Sequence, residues 1–158
     1  MMKQKERIEF IVATDGSVRK KEFPKEGFYG GLGYVVYSVN ANEIIYSSGK
    51  AFRDARISPM EIGSFIYVLK DFFYPYYKFH NHFNKGKFII AINVISDSRY
   101  FVNGWNLKLD NWAKCGWKDE NGNEILHLKS WQEAYEIKKE NKFDINIEWI
   151  KAHNRNGS

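Results

Sequence analysis

Three acidic residues stand in local settings that suit catalysis. Asp15 follows the apolar run IEFIVAT, Asp97 follows the apolar run FIIAINVIS, and Glu61 lies within SPMEIGSF. Three carboxylates brought to one point repel one another, and a divalent cation is the usual partner that offsets the repulsion. Because Mg²⁺ prefers carboxylate oxygens and retains waters that a phosphate can displace, these side chains predict a metal site.

The elements that must position these residues follow from the hydrophobic pattern. The runs before Asp15 and Asp97 are apolar and rich in β-branched residues, which predicts buried strands. Ser58 is placed to cap a helix with Pro59 at its first position, so Glu61 is expected in the first turn. A helix and two strands that are distant in sequence can therefore bring three carboxylates together.

The rest of the chain predicts a mixed sheet with helices packed on it. A polar, basic loop, VRKKEFPKEGFYGG, separates the first strand from a predicted antiparallel meander of LGYVVYSVN and IIYSSGKAF. Apolar residues at helical spacing continue beyond Glu61 until Pro75 ends or kinks the helix. The remaining predicted elements are a central parallel strand over 87–96, helices over 98–109 and 128–142 with a short helix and turn between them, and a last strand over 145–153. The order β-β-β-α-β-α-α-β predicts an α/β fold.

Composition limits the classes of protein to consider. The chain has 158 residues, 44% of them hydrophobic, which suits one well-buried core and is too short for two. Lys and Arg number 24 against 19 Asp and Glu, and the formal net charge of +5 is compatible with a polyanionic partner. The single cysteine, Cys115, excludes an internal disulfide, the N-terminus MMKQKERIEF has no apolar stretch of signal-peptide length, and no apolar run approaches the length of a membrane span. We expect one domain over residues 1–158, a monomer, a cytoplasmic location and no membrane partner.

The order of short motifs resembles the type 1 ribonuclease H family. TDGS, MEI, SDSRYFVNGW, NWAKCGW, WQEAY and IEWIKAH occur in family order over residues 8–153. The resemblance implies a ribonuclease H-like fold, in which helices flank a five-stranded mixed sheet. It implies a metal-dependent endonuclease that cleaves the RNA strand of an RNA/DNA hybrid. Two Mg²⁺ ions, or Mn²⁺ in their place, would activate the attacking water and stabilise the leaving oxygen.

The same resemblance implies roles for individual residues. Asp15, Glu61 and Asp97 become metal ligands, and His153, on the loop after the last strand, becomes a catalytic proton donor or an aid to product release. Taken singly, the three acids also suit a turn residue, a surface acid at a helix start and a helix cap, and the histidine suits an exposed loop without a task. The residues implied in substrate binding are Gly16, Ser17, Ser58, Arg99, Trp112, Lys114, Trp117 and Lys118.

Residues 111–131 correspond to the basic protrusion with which the family grips the DNA strand. Lys114, Lys118 and Lys129 are expected to contact phosphates. Trp112 and Trp117 either pack within the protrusion or offer flat faces to sugars and bases, and packing is favoured. Acidic neighbours dilute the positive charge, so the basic loop at residues 19–25 is an alternative site of grip.

Three features depart from the family pattern. Only Ser58 and backbone groups are left to read RNA 2′-hydroxyls just before the helix glutamate. The interval from Glu61 to Asp97 is longer than in compact members, and the excess falls in the aromatic segment around Pro75, for which core packing is favoured over a partner surface. The family places a fourth acidic ligand well beyond His153, where this sequence ends. A hybrid-binding module with weak or absent turnover is therefore the alternative to the enzyme hypothesis.

Overall fold

In the computed structural model of the protein, five strands form one sheet with helices packed on it. The structure describes residues 5–20, 28–53, 57–84 and 87–151, and their side chains except at 15–20, 28–32, 50–53, 57–60 and 83–84. The strands are β1 (Glu6–Lys20), β2 (Phe28–Ser38), β3 (Glu43–Arg53), β4 (Phe88–Ser96) and β5 (Asp144–Trp149). The helices are α1 (Ile57–Val68), α2 (Tyr74–Asn84), α3 (Arg99–Asn103), α4 (Leu109–Lys114) and α5 (Leu128–Glu140).

The strand order in the sheet is β3-β2-β1-β4-β5. β1, β2 and β3 form an antiparallel meander, while β4 and β5 continue the sheet in parallel to β1. The predicted five-stranded mixed sheet, with its meander and central parallel strand, is therefore confirmed. The carboxyl ends of β1, β4 and β5 point to the same edge of the sheet.

β1 is longer than the sequence pattern predicts. Its parallel pairing with β4 ends at Ala13 and Ile95, but its antiparallel pairing with β2 continues to Lys20. Asp15 therefore lies inside β1, opposite Gly33, rather than at the end of a strand. The apolar run marks only the part of β1 that has neighbours on both sides, and beyond it β1 continues as an edge strand beside β2, where polar residues are tolerated.

α1 packs across β1 and β2 and begins slightly earlier than predicted. Because Ile57 is already helical, Ser58 and Pro59 lie inside the first turn, where a missing N–H costs no hydrogen bond, and not at the cap and first position. Glu61 follows this first turn, so the predicted placement at the helix start is wrong. Side chains of α1 and the sheet form the core, which includes Phe10, Val12, Val36, Ile62, Phe65, Ile90, Ile92 and Val94.

The helix changes geometry before Pro75. A π-helical turn, Leu69–Phe73, joins α1 to α2, and Pro75 is the second residue of α2, so the prediction that the helix ends at this proline is wrong. In this turn Asp71 accepts hydrogen bonds from the hydroxyls of Tyr34 and Tyr46, and the Asp71 carboxylate raises the pKa of Tyr46. These bonds tie the helix to β2 and β3.

The aromatic segment in α2 packs mainly on the core. Tyr74, Tyr76 and Tyr77 are partly buried against it, whereas Phe79 is exposed. The favoured prediction of core packing therefore holds for three of these rings. None of the helices in the described ranges combines the length and apolarity that a membrane crossing needs.

The helices that follow β4 pack tightly on α5. A second π-helical turn, Gly104–Lys108, joins α3 to α4. A Cβ atom at Gly104 would overlap the indole ring of Trp131, which is fully buried in α5. Glycine is therefore required at this close approach, and the helical layer beside the carboxyl end of β4 is held rigidly in place.

Candidate active site

Glu61 is a buried acid. Its side chain is 3% exposed and lies on α1 beside the fully buried Ile62. The Ser96 hydroxyl donates a long hydrogen bond of 3.5 Å to the Glu61 carboxylate. Since an ionised carboxylate is costly to bury, its position under the sheet edge calls for compensating groups and argues against a surface acid. The hydrogen bond from Ser96 places the Glu61 carboxylate beside the residue that precedes Asp97.

The turn after β4 presents Asp97 at the rim of the sheet. Ser96 is 1% exposed, and its Oγ accepts a hydrogen bond of 3.1 Å from the Ser98 N–H. Ser98 caps α3, because its side chain accepts a hydrogen bond of 3.2 Å from the Phe101 N–H. The cap is therefore Ser98 and not Asp97, whose exposed carboxylate is left at the sheet edge.

Asp15 and Asp97 both follow the paired part of the parallel strands β1 and β4. Each acid stands two residues beyond the last β1–β4 pair, Ala13 and Ile95. Both acids therefore lie at the same edge of the sheet. The side chain of Asp15 lies outside the described part of the structure. We call Asp15, Glu61, Ser96 and Asp97 the carboxylate edge.

The donor set of the carboxylate edge fits a hard divalent cation. Carboxylates and hydroxyls are oxygen ligands, which Mg²⁺ and Mn²⁺ accept. Thr14, the neighbour of Asp15, is buried, and its Oγ1 has no hydrogen-bond partner among the described residues, so this edge retains an unused oxygen. Within the described side chains no group of three ligands meets, and Asp15 is not among those side chains.

Trp149, which sequence reasoning did not single out, contacts the same turn from β5. Its backbone pairs with Ser96, and its indole N–H donates a hydrogen bond of 3.1 Å to the Asp97 carbonyl. The Arg99 guanidinium lies 4.2 Å from the centre of the Trp149 ring. The sequence feature that could have identified Trp149 is its position as a tryptophan at the end of the last strand. Ser96 was missed too, although its alternation with Ile92 and Val94 on β4 would place it on the buried face.

The tryptophans of the protrusion (residues 111–131) pack inward. Trp112 meets the Trp131 ring edge to face at 5.4 Å, and Trp117 meets Tyr135 in the same way at 5.6 Å. The Trp131 indole N–H donates a 3.0 Å hydrogen bond to the Tyr100 hydroxyl. Burial raises the pKa of Tyr100. The favoured prediction of packing is consistent with these contacts.

The lysines of the protrusion are exposed and have acidic residues near them in the sequence. Lys114 ends α4, and the backbone of Lys118 forms an isolated antiparallel β-bridge with that of Glu124. Next to Lys118 in the sequence, the Asp119 carboxylate accepts 2.9 Å hydrogen bonds from the N–H groups of Asn121 and Asn123. Positive and negative charges therefore alternate along this hairpin, as the sequence indicated.

Besides Asp15, four of the predicted site residues have only a backbone position or none. Gly16 and Ser17 pair with Leu32 and Gly31 in the ribbon of β1 and β2. Ser58 lies in the first turn of α1, and its side chain, like that of Ser17, is outside the described residues. His153 lies wholly outside them, so its predicted place near the carboxylate edge stays a prediction.

Known proteins are similar to this chain in sequence. The family model for RNase H matches residues 7–158. The curated protein "Ribonuclease H" of Prochlorococcus marinus (strain NATL2A) is 24% identical over 154 residues, which is 96% of this chain and 81% of that protein.

Solved structures show the same fold. The solution structure of the PFV RNase H domain superposes with a TM-score of 0.73 at 21% identity, over 96% of this chain and 84% of that domain. The foamy viral protease-reverse transcriptase in complex with RNA/DNA hybrid gives a TM-score of 0.71 at 18% identity. That match covers 90% of this chain and only 17% of the viral chain.

The family model covers nearly the whole chain, and the fold and the order of the motifs agree with it. The chain therefore belongs to the RNase H family and is classed with the ribonuclease H enzymes.

Proposed function

We propose that the protein hydrolyses the RNA strand of RNA/DNA hybrids, with divalent metal ions held at the carboxylate edge. The observation that carries this proposal is the approach of Glu61 to the turn of Asp97, through the buried Ser96 hydroxyl. A buried acid from a helix contacts the residue that precedes an exposed acid at a strand end, although the two acids are far apart in sequence. Family membership gives the class of reaction.

The two described acids would divide the work of holding the ions. Glu61 is fixed by the core and cannot move far, so it suits a permanent ligand. Asp97 is exposed at the rim, where a ligand can also face the substrate. Asp15 would supply the third carboxylate from the neighbouring strand. Two bound Mg²⁺ or Mn²⁺ ions would activate a water and stabilise the leaving 3′-oxygen.

His153 would move the proton in this scheme. An imidazole titrates near neutral pH, so it can give a proton to the leaving oxygen and recover it from solvent. His153 follows β5 in the chain, and the last residue of β5, Trp149, donates its indole N–H to the Asp97 carbonyl.

The hybrid is the proposed substrate for two reasons. The foamy viral relative of the same fold was solved with an RNA/DNA hybrid. The chain carries a net charge of +5, which suits a polyanion. The proposed contacts are Gly16, Ser17, Ser58, Arg99, Trp112, Lys114, Trp117 and Lys118.

A cleavage assay with matched substrates tests the proposal. The protein would be incubated with a hybrid labelled on its RNA strand, and with double-stranded DNA and RNA of the same sequence, in Mg²⁺, in Mn²⁺ and in a chelator. We expect cuts in the RNA of the hybrid only, and only with metal. Tight hybrid binding without cleavage in either metal would favour the binding-module alternative, and cleavage of double-stranded DNA would point to a DNA-directed nuclease.

A further inference from the structure

Trp149 makes two contacts with the Asp97 turn that burial does not explain. Its side chain is 40% exposed, which is unusual for so large an apolar residue. One edge of its indole donates to the Asp97 carbonyl, and its face carries the Arg99 guanidinium. The next residue, Ile150, donates its backbone N–H to the Ser96 carbonyl at 2.9 Å. β5 therefore secures the turn from both the side chain and the backbone.

Arg99 is placed by this stack beside Asp97. Its side chain is exposed, and among the described residues it has no carboxylate within ion-pair distance. A guanidinium held over the face of an aromatic ring still has N–H donors, and a phosphate can accept two of them. Stacking also removes rotamer freedom before the ligand arrives, so less entropy is lost on binding.

From these contacts we infer that Trp149 is a positioning residue. It holds Arg99 as a preorganised site for a backbone phosphate of the nucleic acid next to the carboxylate edge, and it fixes the backbone of Asp97. The inference rests on the proposed function, because it assigns the phosphate to the hybrid. It goes beyond that function in naming a residue that acts through two others.

A double-mutant cycle on hybrid binding tests the link between the two side chains. Affinity would be measured in a chelator, so that no turnover occurs, for the parent, Trp149→Leu, Arg99→Gln and the double variant. Without the ring, Arg99 must be ordered on binding, and the cost of immobilising one such side chain predicts about a two- to tenfold loss for Trp149→Leu in the parent. In the Arg99→Gln background the same change should have no effect, because Trp149 then has no cation to hold.

Salt dependence provides the second readout. Arg99→Gln should lower the slope of log affinity against log salt by about one unit, the value for one lost phosphate contact. Arg99→Lys should keep that slope and lose affinity, since lysine keeps the charge without the planar stack. Lys87→Gln is the matched control, because it removes one charge at the opposite end of β4. Its slope should equal that of the parent.

Trp149→Phe separates the two contacts and guards against loss of the fold. Phenylalanine keeps a ring under Arg99 but has no N–H for the Asp97 carbonyl, so binding in chelator should stay near the parent while kcat falls and KM does not. Equal losses for Trp149→Leu with and without Arg99 would overturn the inference alone. A parent that binds no hybrid in chelator or in metal would overturn the proposed function and the inference with it.

Discussion

The carboxylate edge and the protrusion differ in which side chains they bury and which they expose. At the carboxylate edge, a charged side chain is buried, and strand register and a hydroxyl contact set its position. In the protrusion, the large apolar rings are turned inward and the charges are exposed to solvent. A side chain held by the core cannot be exchanged without a change in geometry, whereas a solvated lysine can.

This difference predicts that catalysis and substrate binding depend on different regions of the protein. Groups that act on reacting atoms need positions fixed to a fraction of an ångström, and such precision comes from packing. Groups that attract a phosphate backbone act over longer distances and tolerate motion. Changes at the carboxylate edge should therefore lower turnover, and changes in the protrusion should lower affinity.

The largest effect is expected for the two described acids. Glu61→Gln and Asp97→Asn keep the shape of each side chain and remove its charge, so each should lower cleavage by more than the roughly 10- to 100-fold that the loss of an outer partner costs. Hybrid binding and thermal unfolding should remain close to the parent. Glu136→Gln, at an exposed acid of α5, is the control and should cleave as the parent does. Near-parental cleavage by either site variant would remove that residue from the metal site.

Ser96→Ala is expected to have the next largest effect. It removes the hydroxyl that joins Glu61 to the Ser98 N–H, and turnover should fall about tenfold, the lower end of the range for an outer partner, because the bond to Glu61 is long. Single-turnover kinetics on the hybrid would measure this loss separately from binding. Unchanged turnover would mean that packing alone positions Glu61.

A smaller effect, on affinity alone, is expected for the protrusion. Replacement of Lys114 and Lys118 by Gln should weaken hybrid binding and lower the salt slope by up to about one unit per lost phosphate contact, with no change in kcat. A control pair outside the protrusion, Lys78→Gln with Lys87→Gln, removes the same charge. If both pairs lower the slope equally, the protrusion has no special part in grip, and the basic loop at residues 19–25 becomes the candidate.

The smallest effect on the hybrid is expected for Trp112→Phe. Because Trp112 packs against Trp131, the smaller ring should lower the free energy of unfolding by about 1 kcal/mol and leave hybrid affinity unchanged. Thermal unfolding and anisotropy of a labelled hybrid would be measured on the same sample. A clear loss of affinity without loss of stability would instead make Trp112 a stacking surface for the substrate.

The sequence predicted the elements better than their ends. The apolar runs located β1 and β4 because burial imposes a pattern, but pairing with β2 alone extends β1 past Asp15, and such pairing leaves no hydrophobic signature. The start of α1 was placed too late because both Ser58 and Pro59 are tolerated inside a first turn.

The acidic residues of the candidate site could be predicted from the sequence, but the residues that hold them in position could not. Acidic residues in short motifs are visible in one dimension, and the fold brings Glu61 to the turn of Asp97. The contact of Trp149 with the Asp97 carbonyl depends on the register of β5 against β4, which no local pattern records, and the contact of Ser96 with Glu61 depends on how α1 packs on the sheet. Residues that act through others are therefore those that sequence reasoning misses.

The central claim is that three carboxylates hold a divalent cation at the edge of the sheet, and anomalous scattering from Mn²⁺ in a crystal of the protein tests it most directly. The account predicts a peak that is directly coordinated by oxygens of Asp15, Glu61 and Asp97, and its loss in the Asp97→Asn variant. A crystal that shows Mn²⁺ elsewhere, or an Asp15 carboxylate turned away from the other two, would contradict it.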